Sequence, residues 1–175
     1  VASGPTDVHE PEIPFFIVDS LPDSPGAIAA HGAPGGQPVG WIGLNMCHTL
    51  DDVSEGISHE FVETAGDAAC NLWADSSDGY SYARELCDAV ESFNYRIGEI
   101  SVSDFVLPAF FAPEVPGPYH FLAAIGQGVD LLSPLQTGRG GYQVRRLLSG
   151  GEAQIWGAVP AAKAARKAHA TSRTS

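Results

Sequence analysis

The chain has 175 residues, 44% of them hydrophobic, and its mean hydropathy is close to zero. These values are typical of one globular domain with enough chain to bury a core, and they exclude a wholly disordered protein. No apolar run approaches the roughly 20 residues of a membrane-spanning helix, so no membrane contact is expected. The first residues also lack the basic and apolar regions of a signal peptide, and none is expected.

The net charge of −12 is distributed unevenly. Residues 1–138 contain 20 of the 21 acidic residues and only two basic ones, Arg84 and Arg96, whereas residues 139–175 contain the other seven basic residues. The acidic body is therefore expected to repel nucleic acid, which leaves the basic tail, 161–175, as the one place for such a contact. The alternative for this tail is a solvated chain end.

The first part of the chain predicts short strands. Residues 1–14 are expected to form an extended arm interrupted by prolines, and 15-FFIVD-19 is a predicted strand. The segments 27–31 and 38–47 flank the glycine-rich 32–37, which predicts a hairpin.

A helix is predicted over residues 51–66. Asp51 or Asp52 can cap its start, and Gly66 can end it. Four of its residues lie on one face at roughly helical spacing: Val53, Ile57, Phe61 and Thr64. A loop over 67–81 is expected to follow.

The remainder is predicted to consist mainly of hairpins. After a short segment over 82–92, residues 94–107 form one hairpin, and 141–148 with 153–159 form the last one. The proline-broken aromatic run 109–121 is expected to be a packed loop. Strands, one well-marked helix and further strands predict an α+β domain with a strand-rich C-terminal half.

The predicted helix contains His-Glu-x-x-Glu at residues 59–63. Residues four apart share a helix face, so His59 and Glu63 can bind the same ion, and both side chains are zinc ligands. Glu60 occupies the position of the general base in His-Glu-x-x-His enzymes. The alternative is a charged helix face that meets water.

Two helix ligands do not complete a site. Three downstream carboxylates are candidates for the remaining positions: Asp67, Glu85 and Asp88. One histidine, two carboxylates and a water would form a neutral tetrahedral zinc site, whereas three or more carboxylates with a carbonyl would suit calcium.

The other histidines and the cysteines predict no further site. Five histidines have no companion at ligand spacing and are expected to be structural: His9, His31, His48, His120 and His169. The three cysteines lack the spacing of a zinc knuckle: Cys47, Cys70 and Cys87. One disulfide with one free thiol and three thiols both fit, and we favour the reduced form.

A longer pattern resembles a known group of proteins. The stretch 58-SHEFVETAGDAACNLWAD-75, followed by 84-RELCD-88, resembles zincin-like proteins of tailed bacteriophages and prophages and, more distantly, the phosphate-induced protein family. Matching segments are also found at 102-VSDFVLPAFF-111 and 140-GGYQV-144. The resemblance spans roughly residues 23–145.

The resemblance implies a zincin-like domain over 15–160, with a mixed or antiparallel sheet and one main metal-site helix. It implies zinc as the cofactor, with calcium as the alternative, and Glu60 as the residue at the catalytic base position. The implied ligands are His59, Glu63, Asp67, Glu85 and Asp88. This chain lacks the second histidine of active zincins, so an inactive or structural site is expected more than peptidase activity.

The resemblance further implies a virion-associated structural protein, made in the host cytoplasm, whose metal is mainly structural. The arm 1–14 and the tail 161–175 would then contact other virion proteins or further copies of the chain. An active metallopeptidase that uses Glu60 is the alternative. A third possibility is a metal-free binding or assembly module whose aromatic loop, 109–121, meets a partner.

Overall fold

The computed structural model of the protein describes residues 12–21, 23–127, 133–147 and 149–158. Most of the predicted arm (1–14) and all of the basic tail (161–175) lie outside the described residues, as do the contacts predicted for them. Within the described part, no helix is long and apolar enough to cross a membrane.

The first sheet has three strands, β1 (Phe15–Val18), β2 (Ala29–Gly32) and β3 (Val39–Gly43), in the order β1-β3-β2. Strands β2 and β3 form the predicted antiparallel hairpin, while β1 pairs with β3 in parallel. The hairpin loop contains Gly35 and Gly36 with φ of 64° and 85°, a conformation that favours glycine. The prediction of a strand followed by a hairpin is confirmed.

The main helix, α1 (Leu50–Gly66), begins one residue before the predicted range and ends at Gly66 as predicted. Its N-cap is Thr49, so the prediction that Asp51 or Asp52 caps the helix is wrong. The Thr49 hydroxyl accepts a hydrogen bond from the Asp52 amide at 3.1 Å, and the Asp52 carboxylate accepts one from the Thr49 amide at 2.8 Å. These reciprocal bonds form a capping box, which satisfies two amides at the helix end.

Helix α1 packs on the first sheet and on a separate hairpin of β6 (Asn94–Ile97) and β7 (Ile100–Ser103). A Cβ atom added at Gly56 would lie 3.1 Å from the Ile28 side chain, so glycine permits the close approach to β2. On the other side, the Ser54 hydroxyl donates to the Ser101 carbonyl at 2.7 Å. The helix is therefore held between two β layers.

The second sheet is antiparallel and contains β4 (Trp73–Asp75), β5 (Tyr80–Ala83), β8 (Tyr142–Leu147) and β9 (Glu152–Trp156), in that order. The last two strands form the predicted C-terminal hairpin. The prediction of a loop over 67–81 is wrong in part, because β4 and the start of β5 lie within it. These strands are too short for a clear alternation of apolar and polar residues.

Two buried clusters form the hydrophobic core, and both are built from the chain that follows α1. One buried cluster contains Ala89, Val90, Val106 and Phe110. The run 109–121 is a loop, as predicted, but it is packed only near its ends: Phe110 and His120 are buried, whereas residues 113–118 are exposed. A 3₁₀ turn (Pro108–Phe111) begins it and a short helix, α2 (Phe121–Ala124), follows it. The fold is thus α+β, with mostly antiparallel sheets and one main helix.

Candidate metal centre

The buried face of α1 is polar. Among its buried residues are His59, Glu60 and Glu63, which are 8%, 5% and 1% exposed. Two apolar residues on the face marked by the sequence spacing, Ile57 and Phe61, are instead 36% and 60% exposed. Burying ionised carboxylates is costly unless they are paired or bind a metal, so this orientation of the helix requires compensating partners.

The first group of partners surrounds His59. Its Nε2 lies 3.2 Å from Oε1 of Glu63 and 3.2 Å from Oδ1 of Asp88. Asp88 begins a 3₁₀ turn (Asp88–Val90), and the amide of the preceding Cys87 donates to Glu63 Oε1 at 3.2 Å. The structure therefore brings together one ligand atom from each of three predicted residues, all buried, within 4.8 Å of one another.

The second group surrounds His31, on strand β2. Its Nδ1 lies 2.8 Å from Oε2 of Glu60 and 3.4 Å from Oε2 of Glu63, and its Nε2 lies 3.6 Å from Oε2 of Glu85. His31 was expected to be structural because the sequence shows no companion at ligand spacing. The structure provides the companions that the sequence spacing did not indicate, since Glu60 is 29 residues away in sequence and comes close only when β2 packs on α1.

Nε2 of His31 is buried and makes no hydrogen bond of ordinary geometry with the described residues. Burial lowers the pKa of this imidazole, but interactions with the Cys70 thiol, Glu60 and Glu63 outweigh burial and raise it well above its usual value. In the ion-free chain, the negative groups around His31 therefore favour a positive charge at this position.

Asp67 is not part of either group. Its two carboxylate oxygens accept hydrogen bonds from the amides of Asn71, at 3.0 Å, and Leu72, at 2.7 Å. Asp67 therefore stabilises the turn after α1, in which Cys70 has a φ of 51°. All three cysteines have free thiols, in agreement with the reduced form favoured from the sequence.

The pKa of His59, like that of His31, is raised by neighbouring carboxylates. Burial lowers its pKa, but the charge of Glu63 and the hydrogen bond with Asp88 raise it to about 10. Burial raises the pKa of Glu63, yet the charge of His59 and hydrogen bonds with His31 and His59 hold it well below its usual range. Neighbouring carboxylates thus raise the pKa of both imidazoles, and the pKa of the Glu63 carboxyl between them is lowered.

Tyr142, on β8, also contacts the site, through Asp88. Its side chain is buried, and burial together with the charges of Asp88 and Glu63 raises its pKa well above the usual value. A hydrogen bond with Asp88 adds to this effect. The neutral Tyr142 hydroxyl can therefore orient the Asp88 carboxylate, in the way that outer residues orient metal ligands.

A cavity of about 100 Å³ adjoins the site. His59 and Glu60 line it together with Glu91, Phe93 and Trp156. The site is therefore reachable by a small molecule or a side chain from this direction.

The donor sets fit a metal ion that accepts imidazole ligands. Each group offers one imidazole nitrogen and two carboxylate oxygens. In a tetrahedral zinc site with bonds of 2.0–2.2 Å, neighbouring ligand atoms are about 3.3–3.6 Å apart. The distances of 3.2 Å from His59 to Glu63 and to Asp88 are close to this range.

Comparison of the chain with family models, with curated proteins and with solved structures finds no match.

Proposed function

We propose that this chain is a metal-binding domain in which zinc connects helix α1 to the segment that contains Glu85 and Asp88. The observation that carries the proposal is the buried polar face of α1, where His59 and Glu63 meet Asp88 within bonding range of one ion. Metal binding at such a site contributes directly to folding free energy, because the unfolded chain has no preformed site.

Zinc fits this site better than calcium. Calcium takes six to eight oxygen ligands, whereas each group here includes an imidazole nitrogen. Imidazole combined with carboxylates suits zinc and related transition metals. The ligands around His59 are almost fully buried, which is typical of structural zinc sites.

The finer classification as a zincin-like fold is part of this proposal. It is supported by a main helix that carries His59 and Glu63 four residues apart and packs on a mixed sheet. On the basis of the sequence resemblance, the proposal also includes a biological role: the chain is a structural protein of a tailed phage or phage-like particle. This role is tested by purifying induced particles from the source strain and looking for the chain among their proteins by mass spectrometry.

The experiment that tests metal binding is elemental analysis of the purified full chain beside His59→Ala. We expect zinc at one equivalent or more in the wild type and a clear loss in the variant. His48→Ala is the matched control, because His48 is exposed and near the start of the same helix. If the wild-type chain takes up no zinc after incubation with excess ion and desalting, the proposal is wrong.

A second candidate function is metal-dependent peptide hydrolysis, favoured by the position of Glu60 beside His59 at the cavity. The ion would supply Lewis acidity, and Glu60 would accept a proton from the attacking water. In the structure, Nδ1 of His31 holds Glu60 Oε2 at 2.8 Å and so orients the carboxylate. Glu60→Gln should then abolish cleavage of a peptide library while the variant remains folded. A zinc-loaded wild type that cleaves no peptide would exclude this function.

A further inference from the structure

The two oxygens of Glu63 face different imidazoles. Oε1 lies 3.2 Å from Nε2 of His59, and Oε2 lies 3.4 Å from Nδ1 of His31. Glu63 is also the one residue shared by the two groups of ligand atoms, and its side chain is 1% exposed. A carboxylate with one oxygen in each of two adjacent donor sets has the geometry of a bridging ligand.

We propose that the site holds two metal ions bridged by Glu63, an inference that rests on the proposed metal-binding function. One ion is bound by His31 Nδ1, Glu60 and Oε2 of Glu63. The other is bound by His59 Nε2, Asp88 and Oε1 of Glu63. Each ion thus has one nitrogen, one carboxylate of its own and one oxygen of the shared carboxylate.

The buried carboxylates are spread over both groups. Four of them surround the two imidazoles: Glu60, Glu63, Glu85 and Asp88. An ion in the His59 group would be bound by Glu63 and Asp88, whereas Glu60 belongs to the group around His31. Buried carboxylates are usually paired or bound to a metal, so a second ion in the His31 group provides Glu60 with a metal as well.

The surroundings of His31 support a ligand role for its Nδ1. When one nitrogen of a histidine binds a metal, the other usually donates to a carboxylate or carbonyl. Nε2 of His31 is buried, and a carboxylate oxygen of Glu85 lies 3.6 Å away. Glu85 is therefore a carboxylate on the Nε2 side of the imidazole, at a distance slightly beyond a hydrogen bond, and the Cys70 thiol is a further neighbour of His31.

The two halves of the proposed centre come from different parts of the fold. His31 belongs to β2, while Asp88 and Glu85 follow β5, and α1 contributes the residues between them. Two ions would therefore join the first sheet, the helix and the 85–88 segment. A single ion bound by the His59 group would leave the contact with β2 without a metal.

The first test is a titration of the chelator-stripped full chain with zinc, followed by desalting and elemental analysis. We expect two equivalents per chain in the wild type and one in His31→Ala, which retains the group around His59. His48→Ala is the control and should retain both equivalents. One equivalent in the wild type overturns the two-ion centre but leaves the metal-binding function intact, and no bound zinc overturns both.

The second test needs no variant and examines the bridge itself. Two ions that share a carboxylate are about 3.5–4 Å apart, which is close enough for magnetic coupling. The stripped chain loaded with two equivalents of Co²⁺, which binds imidazole and carboxylate sites more tightly than Mn²⁺, should give the electron paramagnetic resonance spectrum of a coupled pair. Two bound but magnetically isolated Co²⁺ ions would show that Glu63 does not bridge them, and saturation of the chain at one Co²⁺ ion would contradict the two-ion centre.

Discussion

Gly141 lies directly against the backbone of Asp88. A Cβ atom added at Gly141 would be 2.6 Å from the Asp88 carbonyl oxygen and 2.5 Å from that of Ala89. Since real Cβ atoms essentially never come this close to backbone atoms, only glycine permits β8 to pack on the turn that positions Asp88. The residue that follows Gly141 is Tyr142, which bonds to the Asp88 carboxylate.

We therefore predict that Gly141→Ala displaces Asp88 and weakens the metal site. The overpacking should lower the free energy of unfolding by about 1–3 kcal/mol, and zinc affinity should fall with it. Chemical denaturation and zinc titration measure the two effects.

The matched control is Gly26→Ala, because a Cβ atom at Gly26 would meet nothing within 4 Å. That variant should change the free energy of unfolding by no more than about 0.5 kcal/mol. If Gly141→Ala behaves like Gly26→Ala in both measurements, β8 does not determine the position of Asp88.

Local sequence signals predicted the helix and the hairpins well. The caps at the start of α1 and the glycine at its end act within a few residues, and His59 with Glu63 follows from helical spacing alone. Asp88 was also identified, although its contact with His59 spans 29 residues of sequence.

The orientation of α1 and the contacts of His31 were not predictable in this way. Apolar spacing usually marks the buried face of a helix, but here Phe61 is 60% exposed and Glu63 is 1% exposed. A helix can bury carboxylates only if other parts of the fold compensate them, and those partners are set by tertiary packing. His31 is such a partner, and nothing near it in sequence indicates the contact with Glu60.

The capping box at the start of α1 should contribute measurably to stability. Thr49→Ala removes the hydroxyl that accepts from the Asp52 amide, and it should cost about 1 kcal/mol. Thr49→Ser keeps an acceptor in the same place and should restore most of the loss. Urea denaturation of the three proteins measures the effect. Equal stability of the alanine and serine variants would contradict a capping role for this hydroxyl.

The pair of His120 and Asp104 should be structural and independent of the metal. Both side chains are fully buried, their Nδ1 and Oδ2 atoms are 2.5 Å apart, and Asp104 also accepts from the Leu122 amide. Asp104→Ala should therefore lower the free energy of unfolding by about 3 kcal/mol or more, because it leaves buried polar groups unpaired. Zinc content at temperatures below unfolding should not change, which elemental analysis can verify.

An exposed ion pair provides the comparison for that variant. Asp51 and Arg96 are also in contact, but their side chains are 44% and 54% exposed. Asp51→Ala should cost less than about 1 kcal/mol, since water screens the charges. If Asp51→Ala lowered the free energy of unfolding as much as Asp104→Ala, burial would not explain the difference expected between the Asp51–Arg96 and Asp104–His120 pairs.

Between about pH 6.5 and 10, the zinc-free protein should lose stability as the pH rises, whereas the stability of the zinc-loaded protein should change little. In the zinc-free chain, the pKa of His59 is raised from 6.5 to about 10, so protonated His59 stabilises the fold. This contribution is complete below about pH 6.5 and is lost as the pH rises towards about 10. One such proton gives a slope that approaches about 1.4 kcal/mol per pH unit. The pKa of Glu63 is lowered in the folded protein, so the ionised carboxylate also stabilises the fold. This contribution to stability is lost in acid, as the pH falls and Glu63 takes up a proton.

Zinc removes this trend because it binds only neutral imidazole, so the zinc-bound His59 carries no proton to lose. The increase in melting temperature caused by zinc, relative to a chelator, should therefore grow between about pH 6.5 and 8.5. Differential scanning calorimetry at several pH values measures this increment. His59→Gln is the matched variant, since it cannot take up the proton and should reduce the slope of the zinc-free protein, leaving the part that comes from the raised pKa of His31. A zinc increment that shrinks as the pH rises would mean that zinc does not compete with protons for His59, and the ion would have to bind elsewhere.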